Sequence, residues 1–197
     1  MKNGIALFMI TAFLFSASGC EKELTPSQTI EAAFGAVKTL DREAATEYID
    51  YDKLMDYSEG DDLSPNDEAA GLLVNNLSIK IVSEERNAEN AKVTAEITNL
   101  YLKPVFDEYV KEAVKLVLNN VSNSQDSLKV QNEMQELFIS LLKKAGQKTT
   151  AKVQISLEKK KGGWMIEYDD ALQDAVFGGL PSEIRSLVKQ GEVYVGS

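Results

Sequence analysis

The chain has 197 residues, of which 44% are hydrophobic and 26% charged, the size of one ordinary globular domain or at most two. Thirty-one acidic residues against 21 basic ones give a net charge of -10, a poor match for phosphate backbones, so no nucleic-acid partner is expected. The chain has no His and one Cys, so an intrachain disulfide and a Cys/His zinc site are both out of reach.

The chain opens MKNGIALFMITAFLFSASGC. Lys2 is a positive n-region, Gly4 to Phe15 an apolar run, and Ser16 to Gly19 are small, which is the three-part layout of a secretory signal. The run falls short of the roughly 20 apolar residues that a membrane span needs. Ala17-Ser18-Gly19-Cys20 resembles a bacterial lipobox, with Ala17 standing where Leu is commonest. The resemblance implies that Cys20 is diacylated and becomes the new N-terminus. An uncleaved anchor and a plain signal cut near Cys20 are the alternatives. Loss of residues 1–19 takes Lys2 with it and turns the net charge from -10 to -11. Two acyl chains supply on the order of 20 kcal/mol of membrane affinity at ~0.8 kcal/mol per methylene. Screened repulsion from anionic lipid cannot match this, so the expected location is the cell membrane, lipid-anchored and facing outside the cytoplasm. Residues 20–24 form a short lipidated tether.

Thr25-Pro26-Ser27-Gln28 carries a capping box with Pro in the first turn, and Ile30, Ala33, Phe34, Val37 and Leu40 come after it at helical spacing. Asp41 caps a second short helix with Ala44, Ala45, Tyr48 and Ile49 on its apolar face. Ser64-Pro65-Asn66-Asp67 starts a third, running to about Asn75. The period then changes. Leu77, Ile79 and Ile81 alternate with polar residues, and after a turn at Glu84 to Asn90 so do Ala91, Val93, Ala95 and Ile97. Such alternation predicts antiparallel strands with one solvated face. A helix from Pro104 places Phe106, Tyr109, Val110, Ala113, Val114, Val117 and Leu118 on one side, and Asn119 to Asp126 breaks it. Another helix turns Met134, Leu137, Phe138, Leu141, Leu142 and Ala145 inward and stops at Gly146.

Ala151, Val153, Ile155 and Leu157 form a strand that pairs with Trp164, Ile166 and Tyr168. A Gly162-Gly163 turn would set Glu158 against Glu167, so a four-residue loop pairing Glu158 with Met165 is preferred. A short helix from about Asp170 leads to Gly178-Gly179-Leu180-Pro181, and a last helix covers Ser182 to Gln190. The order of elements predicts an α+β fold, a curved antiparallel sheet packed on N-terminal helices.

The segments PSQTIEAAFGAVKTLDREAATEYI, NLSIKIVSEERNAENAKVTAEITNLYLKPVFDEYV and VQISLEKKKGGWMIEYDDALQDAVFGGL resemble uncharacterised Gram-positive bacterial lipoproteins with a cystatin-like, nuclear transport factor 2-like domain. The implied organisation is a signal peptide at 1–19, the tether at 20–24, a cystatin-like domain at 25–180 and a C-terminal helix and tail at 181–197. The helical segment 104–146 reads as an insertion between sheet strands.

The residues identify no reaction. Without His there is no Ser-His-Asp or Cys-His arrangement, and Cys20 is consumed by lipid. Gly162-Gly163 and Gly178-Gly179 lack the spacing of a phosphate loop and read as turns. Asp50, Asp52, Asp56, Glu59, Asp61 and Asp62 miss the calcium-loop template and read as a solvated acidic loop. Lys159, Lys160 and Lys161 form a basic hairpin tip, either a solvated end or a contact for anionic polymer or lipid headgroups. No metal or cofactor is expected.

Phe34, Tyr48, Tyr101, Trp164, Tyr168 and Phe177 are candidates to line the concave side of the fold, with ordinary core as the competing reading. The resemblance implies that some relatives bind small apolar ligands there and that a few isomerise steroids with an Asp base and a Tyr donor. Asp107 or Asp169 beside a Tyr could imitate that pair, but no spacing marks one. The expected function is a non-enzymatic, lipid-anchored domain binding a small apolar ligand or a protein partner. One alternative is a self-associating or complex-forming protein that uses the 104–146 segment. The other is a weak isomerase or hydrolase.

Overall fold

A computed structural model describes residues 23–56, 67–122 and 127–195. The fold is α+β, as the order of sequence patterns predicts. In chain order come α1 (Pro26–Lys38), α2 (Arg42–Thr46), α3 (Tyr51–Met55), α4 (Asp67–Val74), β1 (Ser78–Arg86) and β2 (Asn90–Leu100). After these are α5 (Lys103–Ser122), α6 (Ser127–Lys144), β3 (Lys148–Lys160), β4 (Gly163–Ile166), α7 (Asp170–Val176) and α8 (Leu180–Val195).

The start of α1 is set by the predicted box. The Thr25 hydroxyl accepts from the Gln28 N–H, and the Gln28 side chain accepts from the Thr25 N–H. Ile30, Ala33, Phe34 and Val37 are buried along one stripe. The helix ends with Leu40 in the left-handed region, φ 56°, while the Asp41 N–H reaches back to the Ala36 carbonyl at 2.9 Å. This helix end usually takes glycine; Leu40 accepts the backbone cost and packs against the core. Asp41 then caps α2 through the Ala44 N–H. The predicted second helix stops at Thr46, short of Tyr48 and Ile49, and Asp50 caps a further turn that the sequence reading missed, α3, through the Lys53 N–H. The predicted Ser64-Pro65 start lies outside the described residues; α4 itself is present from Asp67.

The sheet has the order β1-β2-β3-β4, antiparallel throughout. Ala91, Val93, Ala95 and Ile97 of β2, with Ile155 and Leu157 of β3, face inward onto α1 and α7. The other face is polar and carries the cross-strand pairs Lys80–Glu96 at 3.0 Å and Thr98–Thr150 at 2.7 Å. β1 runs to Arg86, past the turn expected from Glu84. A bulge between Ile81 and Ser83 leaves Val82 outside the pairing and 46% exposed. The extra residue reverses the facing of the rest of the strand, so Glu84 sits opposite inward-facing Val93. Its carboxylate accepts from the Ser27 N–H at 3.0 Å and the Ser27 hydroxyl at 2.6 Å. A negative charge thus meets the N-terminal turn of α1, where the helix dipole favours it.

The β3–β4 register is the predicted one, Glu158 against Met165, with the Glu167 N–H on the Ser156 carbonyl. The turn is tighter than the predicted four residues: Lys160 also pairs with Gly163, leaving Lys161 and Gly162 at the apex. Gly162 (φ 122°) and Gly163 (φ 146°) supply the conformations this needs.

At the other end of the sheet, Asn99 is fully buried at an inward-facing position. Its amide donates to the carbonyls of Leu73 at 2.7 Å and Val176 at 2.6 Å, near the C-terminal ends of α4 and α7. Gly178 (φ 54°) comes after α7, and its carbonyl accepts from the Leu102 N–H. A Cβ there would lie 1.8 Å from the Leu100 carbonyl oxygen. A second buried amide, Gln173, donates to the carbonyls of Leu54 and Asp56, both at 3.0 Å, and so holds the end of α3.

α5 and α6 form the expected excursion between β2 and β3, but α5 runs into the predicted break at Asn119 to Asp126 as far as Ser122, and the rest of that break, 123–126, lies outside the described residues. Asn120 is buried and its amide faces Glu133 of α6 at 3.4 Å, so it joins the two helices instead of ending one. α8 begins at Leu180, earlier than predicted, and runs on to Val195. Asp174 accepts from the Ser182 N–H and hydroxyl at its start.

Gly178→Ala is expected to lower unfolding free energy by about 3 kcal/mol or more, from backbone overlap added to left-handed strain. Gly35→Ala, in the exposed interior of α1 with open space around its Cβ, should raise it by about 0.5–1 kcal/mol. Urea denaturation of both variants checks the pair.

Candidate functional site

The predicted pocket aromatics do not form one wall. Phe34, Trp164 and Phe177 belong to the packed core, with Tyr48 half-buried against it. The Tyr48 carbonyl accepts from the Ile166 N–H at 2.8 Å and so continues the pairing of β4. Tyr101 lies beyond the far end of β2, where its N–H donates to the Gln147 carbonyl. Trp164 pairs with Lys159, whose N–H reaches the Glu89 carbonyl at the near end. From Glu89 to Tyr101 is about 12 residues of strand, or roughly 40 Å. Tyr101 and Trp164 are therefore at opposite ends of the sheet.

Tyr168 is half-buried, with the Lys53 ammonium 4.6 Å from its ring centre and its hydroxyl 3.4 Å from the Asp170 carboxylate. Burial, then the Asp170 charge, raises the pKa of this phenol and keeps it protonated. Asp169 is engaged as the cap of α7, accepting from the Leu172 N–H at 2.7 Å. Asp107 is exposed on α5. The predicted acid-base pairs are thus an exposed carboxylate and a capping one.

The acidic stretch divides in the same way. Asp50 caps α3, Asp52 pairs with Arg42 at 2.5 Å, and Asp56 comes directly after α3; Glu59, Asp61 and Asp62 lie outside the described residues. Among the described residues no group of three or more Asp, Glu, His or Cys side chains is placed to hold a metal ion.

Two surfaces stand out instead, at opposite ends of the molecule. At one end the chain enters the domain. The Glu23 carboxylate pairs with the Lys159 ammonium, which lies 4.8 Å from the ring centre of Trp164. Both hairpin tips meet there through the Lys159–Glu89 backbone bond of 2.7 Å. Lys160 pairs with Glu158, Arg86 with Glu84, and Lys161 is exposed at the apex. Cys20 lies outside the described residues, three positions before Glu23.

At the other end is the α5–α6 arm. Phe106 and Leu142 join the core, and Tyr109 meets Phe138 edge-on at 5.2 Å. Burial raises the pKa of the Tyr109 hydroxyl. Further out the apolar stripe opens to solvent. Val114, Val117, Leu118 and Leu128 are all exposed, Leu118 at 63% and Leu128 at 65%. The side of the helix that the sequence assigns to Val114, Val117 and Leu118 is real, but α5 packs mainly on α6 and α8, and the outer half of that side stays exposed. Sequence periodicity showed the stripe but not what it faces.

Among the described residues no helix is long and apolar enough to cross a membrane. No family model and no curated protein matches the sequence. Among solved structures, the fold is distantly similar to a Bacillus subtilis protein described as a "putative lipoprotein (ycdA)". The TM-score is 0.41 and the sequence identity 16%, over 76% of this chain and 44% of that one. The chain thus matches less than half the length of that protein.

Trp164 is 7% exposed and sits in the core. Trp164→Ala should cost about 3–5 kcal/mol in an equilibrium unfolding experiment.

Proposed function

We propose that this chain is a lipid-anchored extracytoplasmic protein whose folded body is a non-catalytic binding domain of the cystatin-like, nuclear transport factor 2-like kind. The observation that carries the reading is the N-terminal sequence. A charged start, an apolar run too short to span and small residues before Cys20 are succeeded at once by a capped helix at Pro26. Glu23 is already fixed against Lys159, so the body begins three residues from the cysteine that would carry the lipid. A non-catalytic role is supported by the chemistry available: the chain lacks His, and Asp169 is engaged in capping. Cys20→Ser should leave unlipidated precursor and move the protein from the detergent phase to the aqueous phase. Unchanged partitioning, with no lipid mass on Cys20 in the wild type, would refute the anchor.

A second reading assigns binding to the α5–α6 arm, in self-association or in a larger complex. The exposed Val114, Val117, Leu118 and Leu128 favour it, because adjacent exposed apolar side chains mark contact surfaces more often than scattered ones do. Sizing of the soluble form from Glu21 onward tests self-association. A concentration-dependent dimer that Val114→Glu abolishes is the expected result; a strict monomer at high concentration speaks against it.

A further inference from the structure

We infer that the end of the molecule bearing the two β-hairpin tips is its membrane-facing foot, with Lys160 and Lys161 set against anionic lipid headgroups. The inference rests on the lipid-anchored reading and adds an orientation and a lipid preference to it.

The geometry comes from the tether. Glu23 is held at the β3–β4 tip by Lys159, and Ser27 is held at the end of β1 by Glu84. From Cys20 to Glu23 is three residues, which reach at most about 10 Å when extended. The sheet is roughly 40 Å long, and the α5–α6 arm leaves from its far end. With its lipid in the bilayer, Cys20 can bring only the tip end to the headgroups. Even counted from Ser27, which Glu84 holds at the same end, the seven residues to Cys20 reach at most about 25 Å, less than the length of the sheet.

The charges agree with the geometry. The chain as a whole carries -10, yet the tip end holds Arg86, Lys92, Lys159, Lys160 and Lys161 along with Glu23, Glu84, Glu85, Glu89, Glu158 and Glu167, and is close to neutral. Its outermost β3–β4 positions are basic. Lys161 stands exposed at the apex, and Lys160 beside it has a side chain 54% accessible. Surface potential acts only within a Debye length of about 8 Å at physiological salt. The lysines of the tip fall inside that layer and the acidic remainder of the body outside it. Attraction at the foot and repulsion beyond it therefore select the same pose.

Trp164 provides the test, being the only tryptophan in the chain and lying directly behind the tip. The full lipidated protein is reconstituted into vesicles carrying a headgroup-attached nitroxide quencher. The vesicles are phosphatidylcholine alone or mixed with phosphatidylglycerol. Quenching of Trp164 is expected to be stronger in the anionic vesicles. A fluorophore attached at Lys115→Cys on α5 should stay unquenched in both. The exposed double substitution K160E/K161E should cut Trp164 quenching at least about twofold in anionic vesicles, with lipid mass and vesicle recovery unchanged. Equal quenching at Trp164 and on α5, or quenching indifferent to both the charge reversal and the lipid charge, overturns the foot while leaving the anchor standing. Absence of lipid mass on Cys20 overturns both. Release of the tip by soluble anionic wall polymer at physiological salt would assign the lysines to that polymer and overturn the lipid contact.

Discussion

The carboxamide of Asn99 is the point at which the sheet is joined to its helices. Two carbonyls near the ends of α4 and α7 have no further turn of helix to satisfy them, and both are buried beside β2. Leaving either without a donor would cost about 1–3 kcal/mol. One amide with two protons meets both. Immediately after it, the Leu100 carbonyl approaches Gly178 so closely that no other residue fits, and Leu102 bonds the Gly178 carbonyl. Three elements distant in sequence are thereby fixed at one spot, and from that spot α5 departs. The direction of the arm is set by this junction, as the entry point of the chain is set by Glu84 and Lys159 at the opposite end.

The elements legible in the sequence were those governed by local chemistry. The Thr25–Gln28 box, the Asp41 cap and the strand alternation of β2 and β3 each state their own boundary. The register of the last hairpin was also readable, because the wrong one sets Glu158 against Glu167. The illegible parts depend on partners far along the chain. The bulge at Val82 has no local signature, so Glu84 passed for a turn residue when its charge in fact serves the start of α1. Asn119-Asn120 passed for a helix break because the contact with Glu133 comes from another helix. One clue was present and unused: Asn99 continues the inward series Ala91, Val93, Ala95, Ile97, and a polar residue at such a place needs buried partners.

The candidate site was legible only in part. Aromatic residues at strand spacing are equally consistent with a pocket wall and with a core, and register alone separates Tyr101 from Trp164. The basic tip was visible as a run of three lysines, but its significance depends on Glu23 lying beside it, a contact between residues far apart along the chain. Likewise the apolar stripe of α5 was plain in the sequence, whereas its exposure depends on which elements pack over its outer half.

The bulge in β1 has a second effect, on the edge of the sheet. β1 is an edge strand, and its free side could pair with the same strand of a neighbour. By leaving Val82 unpaired, and with Lys80 and Arg86 on either side of it, the strand interrupts its own edge where a straight ribbon would zip onto its twin. The irregularity that brings Glu84 to the first helix thus also breaks the straight run of backbone along this edge of the sheet.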